Sequence, residues 1–425
     1  MEKSFTTNNK ISVYTYTNEH LHGFCLSLYL KAGPMYEPEN YNGVSHLLEH
    51  LVFRNLNNGL MDGRLYDELD RLGFEFKGST YKHHINLRVI GVAGRFCQAA
   101  EILTKVFEPL SLPGREIQLE KSRIKAEIRE DDERTTLWYW ANQLVWEGCS
   151  LKQSVLGKCT AINRLSKRTL EQAYRQAFHT NNLFFYITGK VQEEELRHLT
   201  RCLERYSLEH ANTPWENCAP VPPSFFHRNC RVELRRSYYC MICFCFDVDT
   251  SRYSPAQLDL LYGVLFSNTT CKFYQDLSEK TGLIYSYDAT FEQYRNVGNL
   301  NFHFEVRAEE LLRAVAITVE ILNSAKKDVS RELALAKVYY VDNAEMRLDE
   351  METLNFNMAH DRHFLNADFA SVAQGRASYQ AVTSEQIEQL AREVFTPDNL
   401  VVAIKQDKPC FSKQDVRNLL LQLGD

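Results

Sequence analysis

An α+β fold of two homologous domains, each a mainly antiparallel sheet packed with helices, is predicted by three observations. Strand-like runs follow one another directly within each half of the chain, which disfavours a doubly wound parallel sheet. The two halves can be laid over each other. At 425 residues, 44% of them hydrophobic and 24% charged, the chain is longer than one ordinary domain and can bury a sizeable core.

The elements justify this in order. Strand CLSLYLKAG precedes GVSHLLEHLVF, an apolar helix interrupted by polar residues. RLYDELDRLG comes next and leads into the β-branched and aromatic run GFEFKGSTYKHHINLRVIG. A long charged helix follows at Arg115–Arg134. The half closes with LSKRTLEQAYRQAFHTNNLFFYI, a Ser-capped helix, an Asn-Leu turn and a strand. After the polar, proline-bearing stretch Ser207–Ser224, read as a linker, the pattern repeats. MICFCFDVD precedes DLLYGVLF, KFYQDLSEKTG leads into LIYSYDATF and VGNLNFHFEV, and a long helix follows. VTSEQIEQLAREVFTPDNLVVAI then matches the end of the first half without a gap. The expected domains are 1–206 and 225–425, joined by the linker 207–224.

Composition excludes several roles. The net charge of -6 comes without any basic run, so a nucleic-acid partner has no electrostatic footprint. The polar start MEKSFTTNNKISVYTYTNEH lacks the apolar core of a secretory signal, and no apolar stretch is long enough to span a bilayer. The twelve cysteines are scattered. Cys240 and Cys243 form a CxxC inside a strand-like run with no second pair, so buried free thiols in a reducing, cytoplasmic setting are expected.

The repeat isolates one feature. His46, Glu49 and His50 of the first half correspond to Asp259, Tyr262 and Gly263 of the second, whereas the leucines and Phe53/Phe266 recur. The shared fold does not need the polar triplet. On a helix His46 and His50 project from one face and can donate to one ion, with Glu49 at the edge of that face. H-x-x-E-H is the inverted zincin pattern, and a catalytic zinc wants a third protein ligand. Glu127 on the charged helix is the candidate, and Glu120, two turns before it, is a supporting carboxylate. Spacing alone leaves the choice among Glu116, Glu120, Glu127 and Glu130 open.

Taken with AGPMYEPENYNGVSHLLEHLVF, the stretch LKQSVLGKCTAINRLSKRTLEQAYRQAFHTNNLFFYITG and SEKTGLIYS, these residues resemble the pitrilysin family, the inverzincin peptidases that include insulin-degrading enzyme and the mitochondrial processing peptidase. The resemblance covers nearly the whole chain. It implies that His46, His50 and Glu127 bind one zinc ion, that Glu49 is the general base and that Glu120 supports the site. It implies half of a four-domain clam shell, with substrate held as an added strand along a sheet edge through Lys77, Gly78, Ser79 and Thr80. Two departures stand out. Lys77-Gly78 replaces the family's usual Asn-Ala. Of the second-half Arg-Tyr pair that grips substrate, Tyr285 is present but the Arg position is Ser278. A homologous half-length partner supplying the pair, in a heterodimer rather than a homodimer, is therefore expected. Such pairs resemble bacterial enzymes that trim ribosomally made peptides, including those of subtilosin-type bacteriocin maturation. The rival is a non-catalytic scaffold subunit of the same fold, like the core proteins of respiratory complexes.

Other polar and aromatic features are read as structural. His83 and His84 are placed in the edge strand, pointing to opposite faces. His360 and His363 are read as surface histidines, and Trp138, Tyr139, Trp140 and Trp146 as core or interdomain packing. Cys25, Cys243 and Cys245 are read as core thiols.

Overall fold

The computed structural model describes residues 2–130, 135–208, 218–267, 269–365 and 372–424. Half of the expected linker (209–217) and the end of the expected charged helix (131–134) lie outside the described residues.

The first half contributes strands β1 (Glu2–Thr6), β2 (Ser12–Thr17) and β3 (Gly23–Leu30), then helices α1 (Val44–Arg54) and α2 (Leu65–Leu72). Hairpin β4 (Glu75–Thr80) and β5 (Ile85–Val92) precedes α3 (Phe96–Thr104), α4 (Gly114–Glu130), α5 (Leu137–Val145), α6 (Cys159–Arg164) and α7 (Lys167–Ala177). Strand β6 (Leu183–Gly189) and α8 (Glu193–Leu203) close it. The second half runs β7 (Arg231–Arg236), β8 (Met241–Val248), α9 (Pro255–Phe266), α10 (Lys272–Tyr274), β9 (Tyr287–Gln293), β10 (Gly298–Glu305), α11 (Leu311–Ser324) and α12 (Ser330–Met346). It ends with α13 (Met351–His363), α14 (Val372–Ala381), α15 (Ser384–Val394), β11 (Leu400–Gln406) and α16 (Lys413–Leu420).

The strands form two sheets, ordered β1-β2-β6-β3-β5-β4 and β7-β11-β8-β10-β9. Apart from the extra β1, the order is the same. Each sheet is antiparallel except for one pair, β2 with β6 and β7 with β11. This is the α+β architecture expected from the direct strand-to-strand runs. β3 is buried at every position because it has strands on both sides and side chains packed on both faces.

The chain divides into two compact units that are not contiguous in sequence. The first comprises 1–132, 153–216 and 347–359, and the second 133–152, 217–346 and 360–425. Each half therefore lends one helix to the other unit. In the first unit, the Asn355 amide of α13 donates to the carbonyls of Cys25 (3.2 Å) and Tyr186 (2.9 Å) and accepts from the Tyr29 hydroxyl (3.0 Å). In the second unit, α5 packs on β8 and β11. Trp146 is fully buried and donates Nε1–H to Glu292 (3.0 Å), and Arg235 lies over the Trp140 ring at 4.3 Å. The tryptophan cluster is thus packing, but on the sheet of the other repeat.

One placement is corrected. His83 and His84 lie in the turn between β4 and β5, not in the edge strand. The turn breaks the strand alternation, so their rings are neighbours at 4.7 Å and His84 is buried, stacked on Tyr81 at 4.4 Å.

Candidate metal centre

The site begins with how α1 is held. Its N-cap, Gly43, takes a left-handed φ of 99° and abuts Gly157, also left-handed at 83°. A side chain on Gly43 would stand 2.9 Å from the Gly157 Cα, so the two glycines allow the closest backbone approach in this region. The cap residue has no side chain, and the buried Glu37 carboxylate accepts from the N–H groups of Gly43 (2.7 Å) and Ser45 (2.8 Å) instead. Glu37 carries no pattern that marks it from sequence, because the carboxylate caps the helix from outside its first turn.

One face of α1 then packs towards α4. Leu47 and Leu51 share a cluster with Leu112, Ile117, Ile124, Ile128 and, from the following connection, Ile162 and Leu165. The buried Lys121 ammonium donates to the Leu165 carbonyl (2.5 Å), fastening α4 to the same connection. These contacts set the spacing between α1 and α4, and His46, His50 and Glu127 meet in the gap.

The three donors converge. His46 Nε2 lies 3.7 Å and His50 Nε2 3.8 Å from the same oxygen, Glu127 Oε2. All three ligand atoms fall within 4.8 Å of one another. Hydrogen bonds would be shorter than these separations. Donors about 2.1 Å from a tetrahedral zinc would stand roughly 3.4 Å apart, close to what is seen. Two imidazoles and a carboxylate are also the chemistry a divalent zinc accepts. The residues present therefore fit the ion.

Protonation favours this use. Burial, followed by the neighbouring His50, pushes the His46 imidazole down to about 4, leaving its ring neutral near neutral pH. The backbone of Leu156 lies beside that ring but outside strict hydrogen-bond alignment with Nδ1. For His50, burial pulls the pKa down, but a hydrogen bond to Glu120 and the charges of Glu49, Glu120 and Glu127 raise it overall. Its Nδ1 lies 3.3 Å from Glu120 Oε2, which directs Nε2 towards Glu127. Glu120 is buried and is itself gripped by Arg54 (3.3 Å) and Arg123 (3.2 Å). Burial raises its carboxyl, and the His50 hydrogen bond and the two guanidiniums bring it below the usual range.

Glu49 sits beside the trio rather than in it. Its carboxylate accepts from the Thr80 hydroxyl (2.5 Å), and burial leaves its pKa above the usual carboxylate value. Gly78 supplies the room. A Cβ there would stand 2.8 Å from Glu49 Cδ and 2.7 Å from the Phe53 ring. A cleft of about 170 Å³ opens at Glu49 and His50, lined also by Phe53, Tyr66, Glu120 and Arg123.

Lys77, Gly78, Ser79 and Thr80 all lie on β4, the last strand of its sheet, which among the described residues pairs only with β5. Lys77 pairs with Glu75, and the Ser79 hydroxyl accepts from Arg88 (3.1 Å). Tyr285 belongs to the second unit, where it is 95% exposed beside an open cavity of about 660 Å³ lined also by Tyr238, Tyr239 and His303. Ser278 lies in the wide turn Gln275–Glu279 after α10. His360 and His363 are half-buried on α13.

Residues 14–145 match the family described as insulinase (peptidase family M16), and residues 164–336 match the peptidase M16 inactive domain. The chain belongs to peptidase family M16. Among its relatives, the uncharacterized zinc protease YmxG of Bacillus subtilis is 20% identical over 95% of this chain and 98% of its own length. Subunit 1 of the bovine mitochondrial cytochrome b-c1 complex is 22% identical over 41% of this chain and 37% of its own length. Among solved structures, a protease from Helicobacter pylori superposes with a TM-score of 0.81 at 15% identity, over 96% of this M16 chain and 99% of that one. The first half of the periplasmic protease PqqL from Escherichia coli gives 0.79 at 15% identity, over 100% and 97%. In the complete PqqL the same match covers 50% of the longer chain. Among the described residues, no helix is long and apolar enough to cross a membrane.

Proposed function

We propose that this M16 chain is a zinc-dependent metalloendopeptidase, with His46, His50 and Glu127 as ligands of one zinc ion and Glu49 as general base. The observation that carries the reading is the convergence of those three donors beside a buried carboxylate that is not one of them. Zinc, when bound, supplies Lewis acidity and acidifies water. Glu49 takes the proton of the attacking water and returns it to the leaving amine, and its raised affinity for a proton suits both steps. Thr80 fixes the carboxylate while Glu120 orients His50. The free edge of β4 offers backbone groups from Lys77 to Thr80 to an extended peptide, so substrate is a peptide or an unfolded segment.

A homologous half-length subunit completes the enzyme in this reading. Ser278 leaves Tyr285 without the expected arginine, and the fold also occurs as half of a double-length chain in PqqL. Processing of a ribosomally made precursor peptide, as in subtilosin-type bacteriocin maturation, in the cytoplasm where the free thiols persist, is the proposed setting. The scaffold reading draws on Ser278 and on the match to the b-c1 subunit. Glu49→Gln separates the two. The peptidase loses about 10²–10⁴-fold in peptide cleavage while keeping its zinc. A scaffold loses nothing and holds little zinc.

A further inference from the structure

A second group of donors lies away from α1, between α3 and α8, which pack against each other in the first unit. Cys97 and Glu101 are four apart on α3, and His198 and Cys202 are four apart on α8. Each pair therefore presents two donors from one helix face. Ligand atoms of Glu101, His198 and Cys202 all fall within 4.8 Å of one another.

The local geometry separates this group from an ordinary ion pair. His198 Nε2 is 3.1 Å from Glu101 Oε1, yet this buried nitrogen has no aligned hydrogen-bond partner. The Arg205 guanidinium donates to both carboxylate oxygens, to Oε2 at 2.8 Å and to Oε1 at 3.3 Å, which fixes Glu101 with Oε1 towards His198. Cys202 is fully buried and its thiol hydrogen-bonds to Glu101. Cys97, one turn before Glu101 on α3, is half-buried and stands outside this cluster. A simple His–Glu pair has no use for a fully buried thiol on the same side.

We propose that Glu101, His198 and Cys202 form a second divalent-metal site that takes zinc or a similar thiolate-accepting ion and clips α3 to α8. Mixed sulfur, nitrogen and oxygen donors, with solvent in the fourth position, suit zinc over calcium or magnesium. Binding forms a metal–sulfur bond as the Cys202 S–H bond breaks, and the proton leaves to solvent. The Cys202 thiolate and the Glu101 carboxylate together match the charge of the ion.

Cobalt substitution of the full-length chain, reduced with a phosphine, tests this. The His46/His50/Glu127 group has no sulfur, so a sulfur-to-cobalt charge-transfer band reports only on a thiolate site. Wild type should bind a second equivalent of cobalt with that band. His198→Gln and Cys202→Ser should each lose both the band and the second equivalent, with peptide cleavage and circular dichroism unchanged in His198→Gln. His198 lies near the surface, so that variant keeps the test valid if Cys202→Ser fails to fold. A wild-type chain with no band, or a band that survives His198→Gln, overturns the proposal.

Discussion

The helix pair α1/α4 and its repeat α9/α12 have the same frame and opposite interiors. In α1, His50 hydrogen-bonds to Glu120 of α4, and an ion-sized gap opens beside Glu127. Alignment of α4 and α12 from their first residues sets Glu120 against Ala336 and Glu127 against Asn343. Gly263 replaces His50, and a Cβ built on it would lie 3.2 Å from the Ala336 methyl and 2.8 Å from the Tyr340 ring. Asp259, in the place of His46, accepts from the Tyr379 hydroxyl (2.5 Å), and Tyr379 stacks on Tyr340 at 5.3 Å. Tyr262, in the place of Glu49, donates to the Ala289 carbonyl (3.1 Å). The second copy fills with aromatic rings and small residues the space that the first fills with donors. The fold tolerates either interior, so the donor set in the first copy has a chemical rather than an architectural cause.

Three substitutions sharpen that contrast. Glu120→Gln keeps the shape of the first copy but removes the charge behind His50. Zinc affinity should fall about 10–100-fold in a competition titration, with little change in thermal stability. Gly263→His asks the second copy to accept a donor. Tyr340 blocks it, and overpacking should cost about 1–3 kcal/mol by denaturant unfolding, with no zinc gained. Thr80→Val is the mildest. It frees Glu49 without touching a ligand, so kcat should drop by about tenfold, the value of one hydrogen bond of roughly 1.4 kcal/mol, while zinc content stays constant.

Much of this was legible in the sequence. The four-residue spacing of His46 and His50 places them on one face whatever surrounds the helix, and the repeat showed that leucines alone maintain it. The third donor was less legible, because acidic residues occur on nearly every turn of α4. Only packing sorts them: Glu116 pairs with Arg54 (2.8 Å) and Asn58 (2.8 Å), Glu120 stands behind His50, Glu130 is exposed, and Glu127 faces both imidazoles. The exchange of α5 and α13 between units was not legible. An apolar face states that a helix must be buried, not against which of two similar sheets. Glu37 was silent because its carboxylate caps α1 from outside the first turn, and Gly78 was legible for the sheet edge, not for the room it gives Glu49. The histidines of the β4–β5 turn were misplaced because the run of β-forming residues continues through it.

The most direct test grafts the second copy's polar positions into the first. A chain carrying His46→Asp, Glu49→Tyr and His50→Gly, in a His198→Gln background so that only this centre is read, should fold with its circular dichroism preserved. Its zinc content, measured by plasma mass spectrometry against the His198→Gln chain, is the deciding quantity. The account predicts loss of the single remaining zinc together with all peptide cleavage. A grafted chain that keeps its zinc and its cleavage would contradict it.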